Sequence, residues 1–420
     1  MAVYDLCIVG AGMIGSAAAR HASLVQNRTV CLIGPSEPES RSLDNDRDIY
    51  GAYYDEGRIT RCCDPVVDWA KLAQESIKRY RAIEEQSGIN FYHEVGNLSI
   101  GSGTDSQYVK SNENAAKSCG VPYNCLNDKV LSSRWPYLEL PPDANAILES
   151  HNAGFINPRK LVAAQKLLAS RQGCTIVDDV VRKVNRIVQS DGVYVMRIET
   201  DSGKVFHAKS VLLATGAFTR FREVLPSNVA VEQKISALTV ALVEVDVTGG
   251  DKALRDLPCI LYKGRRHSQW YIPDVLKNEE EIQFYMLPPI KYPNGKYYIK
   301  LGFINPNCQQ IHTRDEMKQW YAEGDPKYKE DIAKFLKSLF KGIHFKSWYG
   351  DNCAITDTPS IRPYIDKVHD QLGVVFGCNG YAAKSSDEIG RLGATMMLTG
   401  WNSDIPEDVF RINYCTNSKL

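Results

Sequence analysis

The run Tyr4-Asp5-Leu6-Cys7-Ile8-Val9 breaks at Gly10-Ala11-Gly12-Met13-Ile14-Gly15, and an alanine-rich, helix-forming stretch follows at once. A short buried strand, three glycines at G-x-G-x-x-G spacing and a helix start make a dinucleotide clamp of the Rossmann type. Gly10 allows the tight turn, Gly12 lets backbone approach a pyrophosphate, and Gly15 lets the helix pack on the strand. The pyrophosphate is expected on unpaired backbone N–H groups of the first turn, at Met13 and Ile14, where the helix dipole is positive. A glycine turn without a ligand is the bland alternative, and the order strand, turn, helix speaks against it.

The fingerprint departs from its usual form at the second strand, Thr29-Val30-Cys31-Leu32-Ile33. Where an acidic side chain normally meets the adenosine ribose, this chain has Gly34, followed by Pro35, Ser36 and Glu37. Ser36, Glu37 or backbone is expected to take that task.

The chain has 420 residues, enough for two domains or one large interleaved one. Fifty basic and fifty acidic residues cancel, with no basic stripe, so composition offers no case for nucleic acid or an anionic membrane as partner. A small-molecule partner is expected. No apolar run is long enough to span a bilayer, and the start of the chain lacks a secretory signal pattern. Twelve cysteines and eight histidines show no C-x-x-C, H-E-x-x-H or zinc spacing, so no metal site is expected. Ser418-Lys419-Leu420 spells a peroxisomal address, so an import receptor and a peroxisomal location are expected.

Ser36 to Asp55 is polar and without period, a long loop of the kind that usually carries function. Pro65 opens a helix with Trp69, Ala73, Ile77 and Tyr80 on one face and Gly88 as its stop. Pro158 starts a helix through Leu168. The strand Thr175 to Val177, a hairpin through Tyr194 to Ile198, and the strand Ser210 to Thr215 with its Gly216 turn follow. From Ile235 the period changes to alternation, with strands at 238–247, 260–263, 269–272, 282–287 and 297–303, and Asn294-Gly295 as a hairpin turn between the last two. Gly373 to Gly377 and a helix from Ser385 to Thr399 close the nucleotide domain. The expected fold is α/β: a discontinuous Rossmann-type domain (1–75, 151–230, 345–412) interleaved with a mostly antiparallel-sheet α+β substrate domain (76–150, 231–344), and a flexible tail, 413–420.

Taken in order, the opening clamp, Gly57-Arg58-Ile59-Thr60-Arg61, Gly154 to Pro158, Ala214 to Ala217, Tyr298 to Phe303, Cys353 to Asp366 and Gly377 to Lys384 resemble the flavin-dependent amine oxidases of the monomeric sarcosine oxidase and pipecolate oxidase family. The resemblance covers nearly the whole length. It implies an FAD cofactor, with Arg58, Val181, Gly216 and Gly380 beside it and a covalent bond from its 8α-methyl carbon to the sulfur of Cys353. Without the resemblance Cys353 would read as one more buried thiol.

It further implies that Arg61 and Lys384 hold a substrate carboxylate, a task suited to a planar guanidinium. The ordinary alternatives are a surface ion pair of Arg61 with Asp55 or Glu56, and a solvated Lys384. Lys300 matches the lysine that assists oxygen reduction; the alternative is an edge-strand lysine facing water. The helix from Ser385 would direct its positive end at the flavin. Tyr381 stands where the family has a substrate-side histidine, Ile304 where it has a second, and Ile355 where the sarcosine enzyme has a tyrosine. Tyr285 is expected as a pocket wall.

The implied activity is oxidation of a secondary amine carrying a carboxylate, such as an N-methyl or cyclic imino acid. Hydride passes to flavin N5, and O2 is reduced to H2O2. A D-amino acid oxidase type, a dehydrogenase passing electrons to a protein acceptor, and a non-enzymatic nucleotide-binding protein remain as alternatives.

Overall fold

Val3–Val9 lies between Val30–Ile33 and Val205–Leu213, parallel to both. Thr175–Val177 extends the parallel sheet beyond Val30–Ile33, and Leu372–Phe376 pairs in parallel with Val205–Leu213. Val30–Ile33 and Leu372–Phe376 are buried at every residue, as parallel strands covered on both faces must be. Antiparallel strands Val181–Val188, Tyr194–Thr200 and Tyr364–His369 complete the sheet. The computed structural model describes residues 3–43, 47–103, 106–304 and 308–415; the tripeptide Ser418-Lys419-Leu420 lies outside them.

Helices Met13–Ala22, Pro158–Arg171 and Ser386–Leu398 pack together against this sheet. Small residues along Met13–Ala22, among them Ala18, Ala19 and Ala22, permit the close approach. Val67–Ser87 crosses nearby and stops at Gly88, whose left-handed conformation lets its N–H donate to the Glu84 carbonyl at 2.8 Å.

The second sheet has eight strands in the order Trp348–Asp357, Lys234–Val245, Tyr297–Phe303, Glu281–Lys291, Cys259–Arg265, Asn97–Ser102, Ala144–Glu149, Asn124–Leu126. All neighbours are antiparallel except Cys259–Arg265 with Asn97–Ser102. The Asn294-Gly295 hairpin forms, closed by Tyr292 and Lys296. Three-stranded pairing of Arg58–Thr60, Gly154–Ile156 and Tyr92–His93 makes a third, small sheet.

The antiparallel segment differs from expectation at 269–272, which is no strand. Its alternation comes from Trp270, a buried anchor whose ring meets Tyr262, Phe284 and Phe335 while its indole N–H donates to the Glu139 carbonyl at 2.8 Å. The strand Trp348–Asp357, counted by sequence with the nucleotide domain, hydrogen-bonds within the second sheet. Among the described residues no helix is long and apolar enough to cross a membrane, and no three His, Cys, Asp or Glu side chains cluster as metal ligands.

Candidate active site

A groove follows the carboxyl ends of the parallel strands, the position at which open α/β sheets bind ligands. Gly10 to Ile14, Gly34, Val181, Gly216 and Gly380 line it, together with Arg58 and Cys353. Gly10 has φ +106°, and a Cβ there would lie 2.4 Å from the Ala214 carbonyl oxygen. Helix Met13–Ala22 begins at Gly12 with no side-chain cap, and the turn Ala382–Ser385 leads into Ser386–Leu398 with no side-chain cap at Ser385. Gly12, Met13, Ile14 and Ser386 all reach the groove; the uncapped start of Met13–Ala22 leaves backbone donors for an anionic ligand there, whereas the Ser386 N–H donates to the Ala383 carbonyl and the Glu388 N–H to the Ser76 hydroxyl.

The missing carboxylate at Gly34 has a steric cause: a Cβ would sit 2.3 Å from the Ala11 nitrogen and 2.7 Å from its Cβ. Pro35 lines the groove, and Ser36 and Glu37 follow it. Glu37 is held in a two-pronged pair by Arg159, both contacts at 2.7 Å, and Arg159 also takes Glu56 at 2.8 Å. The Ser36 N–H donates to Asp178 at 2.8 Å.

Cys353 lies on Trp348–Asp357, in register with Leu238, and its carbonyl accepts the Trp320 indole N–H at 2.9 Å. Burial pushes its thiol up, while the Arg58 charge works the other way. Arg41, from the long loop, donates to Asp351 at 2.8 Å and to the Asn352 carbonyl at 3.2 Å, fastening that loop to the residues just before the cysteine.

Asp55 gathers the charges beside it. Its carboxylate accepts from Lys300, Arg58 and the Tyr292 hydroxyl, the last at 2.8 Å. Burial opposes ionisation of Asp55, yet Lys300 and Arg58 outweigh it and hold the carboxyl well below the usual range. Lys300 is 1% exposed and donates also to the Gly57 carbonyl, so it is no edge lysine facing water. Burial pulls its ammonium down against the opposing pull of Asp55. Tyr285 stands opposite Gly302 on the neighbouring strand, and burial raises its hydroxyl.

Arg61 and Lys384 come from segments more than three hundred residues apart in sequence and meet at one atom. Arg61 Nη2 and Lys384 Nζ each lie 3.1 Å from Asp64 Oδ2. Arg61, Asp64 and Lys384 are 4%, 1% and 4% exposed, so neither cation is a surface group and Arg61 pairs with neither Asp55 nor Glu56. The Lys384 ammonium also donates to the Tyr381 carbonyl at 3.1 Å, and lies 5.3 Å from the Trp69 ring centre and 5.1 Å from that of Tyr381. Burial, helped by Arg61 and opposed by Asp64, brings Lys384 down to about 8. Arg61 Nη1 is buried with no partner among the described residues. Glu149 holds the backbone of this turn, accepting the N–H groups of Cys62 and Cys63 at 2.6 and 2.9 Å.

Ile355 lines the groove and Ile304 is exposed. Asp55, Asp64, Trp69 and Glu149 had no place in the sequence-derived site. Only Asp64 carried a signal, as an acid three residues after Arg61 and next to a helix-opening proline.

The family model described as FAD dependent oxidoreductase matches residues 5–396. The chain belongs to that family. This FAD-dependent oxidoreductase is similar to the monomeric sarcosine oxidase of Bacillus sp. (strain B-0618), at 23% identity over 98% of this chain and 96% of the relative. The N-methyl-L-tryptophan oxidase of Escherichia coli O81 (strain ED1a) is 21% identical over 93% of this chain and 94% of that one. Its fold is that of NikD, described as an unusual amino acid oxidase essential for nikkomycin biosynthesis. The TM-score is 0.71 and the identity 17%, covering 99% of each chain. Glycine oxidase from Geobacillus kaustophilus gives a TM-score of 0.68 at 15% identity, over 98% of this chain and 99% of that one.

FAD fits the groove of this oxidoreductase. The cradle at Gly10 admits no Cβ, and the uncapped start of Met13–Ala22 suits a pyrophosphate. Arg58, Cys353, Gly380 and Ser386 line the same groove and would hold the cofactor's remaining parts.

Proposed function

We propose that this FAD-dependent oxidoreductase oxidises a secondary amine bearing a carboxylate, an N-methyl or cyclic imino acid, with O2 as acceptor and H2O2 as product. The observation that carries this is the meeting of two buried cations, Arg61 and Lys384, with one guanidinium nitrogen still unpartnered. An unsatisfied buried donor of that kind costs free energy until an acceptor reaches it, and a substrate carboxylate is such an acceptor. The relatives' names, for sarcosine and N-methyl-L-tryptophan oxidation, agree with that chemistry.

When bound, FAD supplies the hydride acceptor and the two-electron reductant of O2. The chain's residues orient and exclude. Arg61 and Lys384 fix the carboxylate, so that the C–H beside nitrogen is presented in one direction. Trp69 and Tyr381 flank the Lys384 ammonium and shield the site from water. We also assign to Cys353 the covalent tether and to Lys300 assistance in oxygen reduction. Support comes from the place of Cys353 in the groove beside Arg58 and from the burial of Lys300 next to the same arginine.

The test is bleaching of the holoenzyme's visible absorbance by sarcosine, pipecolate, proline and N-methylated amino acids under anaerobic conditions, followed by peroxide measurement in air. Bleaching with stoichiometric peroxide supports the proposal. A flavin that none of these acids reduces would sink it, and bleaching without peroxide would assign the electrons to another acceptor.

A further inference from the structure

The carboxylate that joins Arg61 to Lys384 belongs to the protein itself. Asp64 is fixed from two sides: Oδ1 accepts the Val66 N–H at 3.0 Å, just ahead of helix Val67–Ser87, and Oδ2 is shared by the two cations at 3.1 Å. It is 1% exposed and is followed by Pro65, so neither rotation into solvent nor a shift of its backbone is available at low cost. Two positive charges thus meet one shared carboxylate, Asp64, before any substrate arrives, and a second buried acid, Glu149, acts on Arg61. What the recess still offers an anion is the unpartnered Nη1 of Arg61, with Asp64 and the buried Glu149 already set against the two cations.

We infer that Asp64 is a specificity-determining residue, limiting the recess to substrates with a single carboxylate and rejecting those with a second carboxylate near the amine. The inference rests on the proposed role of Arg61 and Lys384. Two physical facts carry it. A first carboxylate satisfies the unpartnered Arg61 Nη1 with a charge-assisted hydrogen bond, so its desolvation is repaid. A second finds no unmatched cation there and lies close to Asp64, a like charge in a site with little water to screen it. The Glu149 carboxyl, engaged by the Cys62 and Cys63 amides and acting on Arg61, is a second buried acid that disfavours a further carboxylate there.

The decisive experiment uses FAD-loaded enzyme and two unreactive ethers, methoxyacetate with one carboxylate and oxydiacetate with two. Binding is read from the perturbation of the flavin's visible spectrum. Wild type is expected to bind oxydiacetate about tenfold or more weaker than methoxyacetate, and Asp64→Asn to shrink that ratio to near one by gaining affinity for the diacid. Equal affinity for both acids in wild type would overturn the role of Asp64 while leaving the carboxylate site intact. So would an unchanged ratio in a folded, yellow Asp64→Asn. Should Asp64→Asn fail to load flavin, Asp64→Ser and the wild-type ratio decide the matter. If neither acid perturbs the flavin of any of these proteins, this inference and the proposed role of Arg61 and Lys384 fall together.

Discussion

Arg61 and Lys384 differ in how they respond to their shared carboxylate. A guanidinium stays charged at any working pH, whereas the Lys384 ammonium, at about 8, does not. Removing the guanidinium removes a charge-assisted contact that contributes about 1.5–3 kcal/mol, so Arg61→Ala is expected to raise KM by about ten- to a hundredfold. Steady-state kinetics check this, and an unaltered KM takes Arg61 out of the site. For Lys384 the sign follows from its lowered value: below about 8 the cation is present, and above it carboxylate binding weakens, so kcat/KM should fall on the alkaline side. Lys384→Arg should carry that fall beyond pH 10, roughly where a guanidinium is still fully charged. Lys300→Met should slow reoxidation by O2 and spare anaerobic reduction; equal slowing of both steps would make Lys300 a structural residue. At this scale the sequence displayed the cations but not their counter-ions. Asp55 is an ordinary acid in a chain with fifty Asp and Glu, Asp64 stands out only by its spacing from Arg61, and the folded geometry is what joins each to a second cation.

Secondary-structure elements act here chiefly through their ends. The glycine turn after Val3–Val9 is the most demanding junction. A Cβ at Gly15 would lie 1.7 Å from the Gly10 carbonyl oxygen, so Gly15→Ala must push the helix off the strand. Loss of FAD on purification, seen as a collapsed ratio of 450 nm to 280 nm absorbance, is the expected outcome, and full occupancy would contradict it. The strand carrying Cys353 allows a milder test. Its thiol is half-buried, so Cys353→Ser should fold and bind FAD, but release it on acid precipitation where wild type keeps it. Wild-type flavin that also washes out would end the assignment of the tether. Elements with a strong local signal were legible: the clamp, the Pro158 helix and the Asn294-Gly295 hairpin each combine a turn residue with a clean period. The segment 269–272 misled because a single buried tryptophan mimics alternation in a turn.

At the level of the whole molecule, one buried carboxylate joins four helices. Asp387 accepts from Arg20 at 2.7 Å, Arg79 at 2.5 Å and Gln165 at 2.8 Å, each on a different helix from its own. Burial disfavours its charge, but Arg20 and Arg79 hold it ionised far below the ordinary carboxylate range. Asp387→Ala would leave the buried Arg20 without a carboxylate and Arg79 with Glu388 alone, and should cost about 3–5 kcal/mol, measurable as a lowered midpoint in denaturant. A change below about 1 kcal/mol would show the network to be redundant. The depressed value means that this stabilisation is present at neutral pH and is lost as pH falls below the unfolded carboxyl's range.

By itself the sequence determined the clamp, the alternation of the second sheet and the residue types available for chemistry, because periodicity, turn residues and glycine spacing act over a few residues. Tertiary structure decided which charges meet. Arg61 and Lys384 share Asp64, and Lys300 and Arg58 share Asp55, only because strands and loops distant along the chain close on one another and exclude water. Coulomb energy at such sites depends on ångström separations and burial, quantities that no linear spacing encodes.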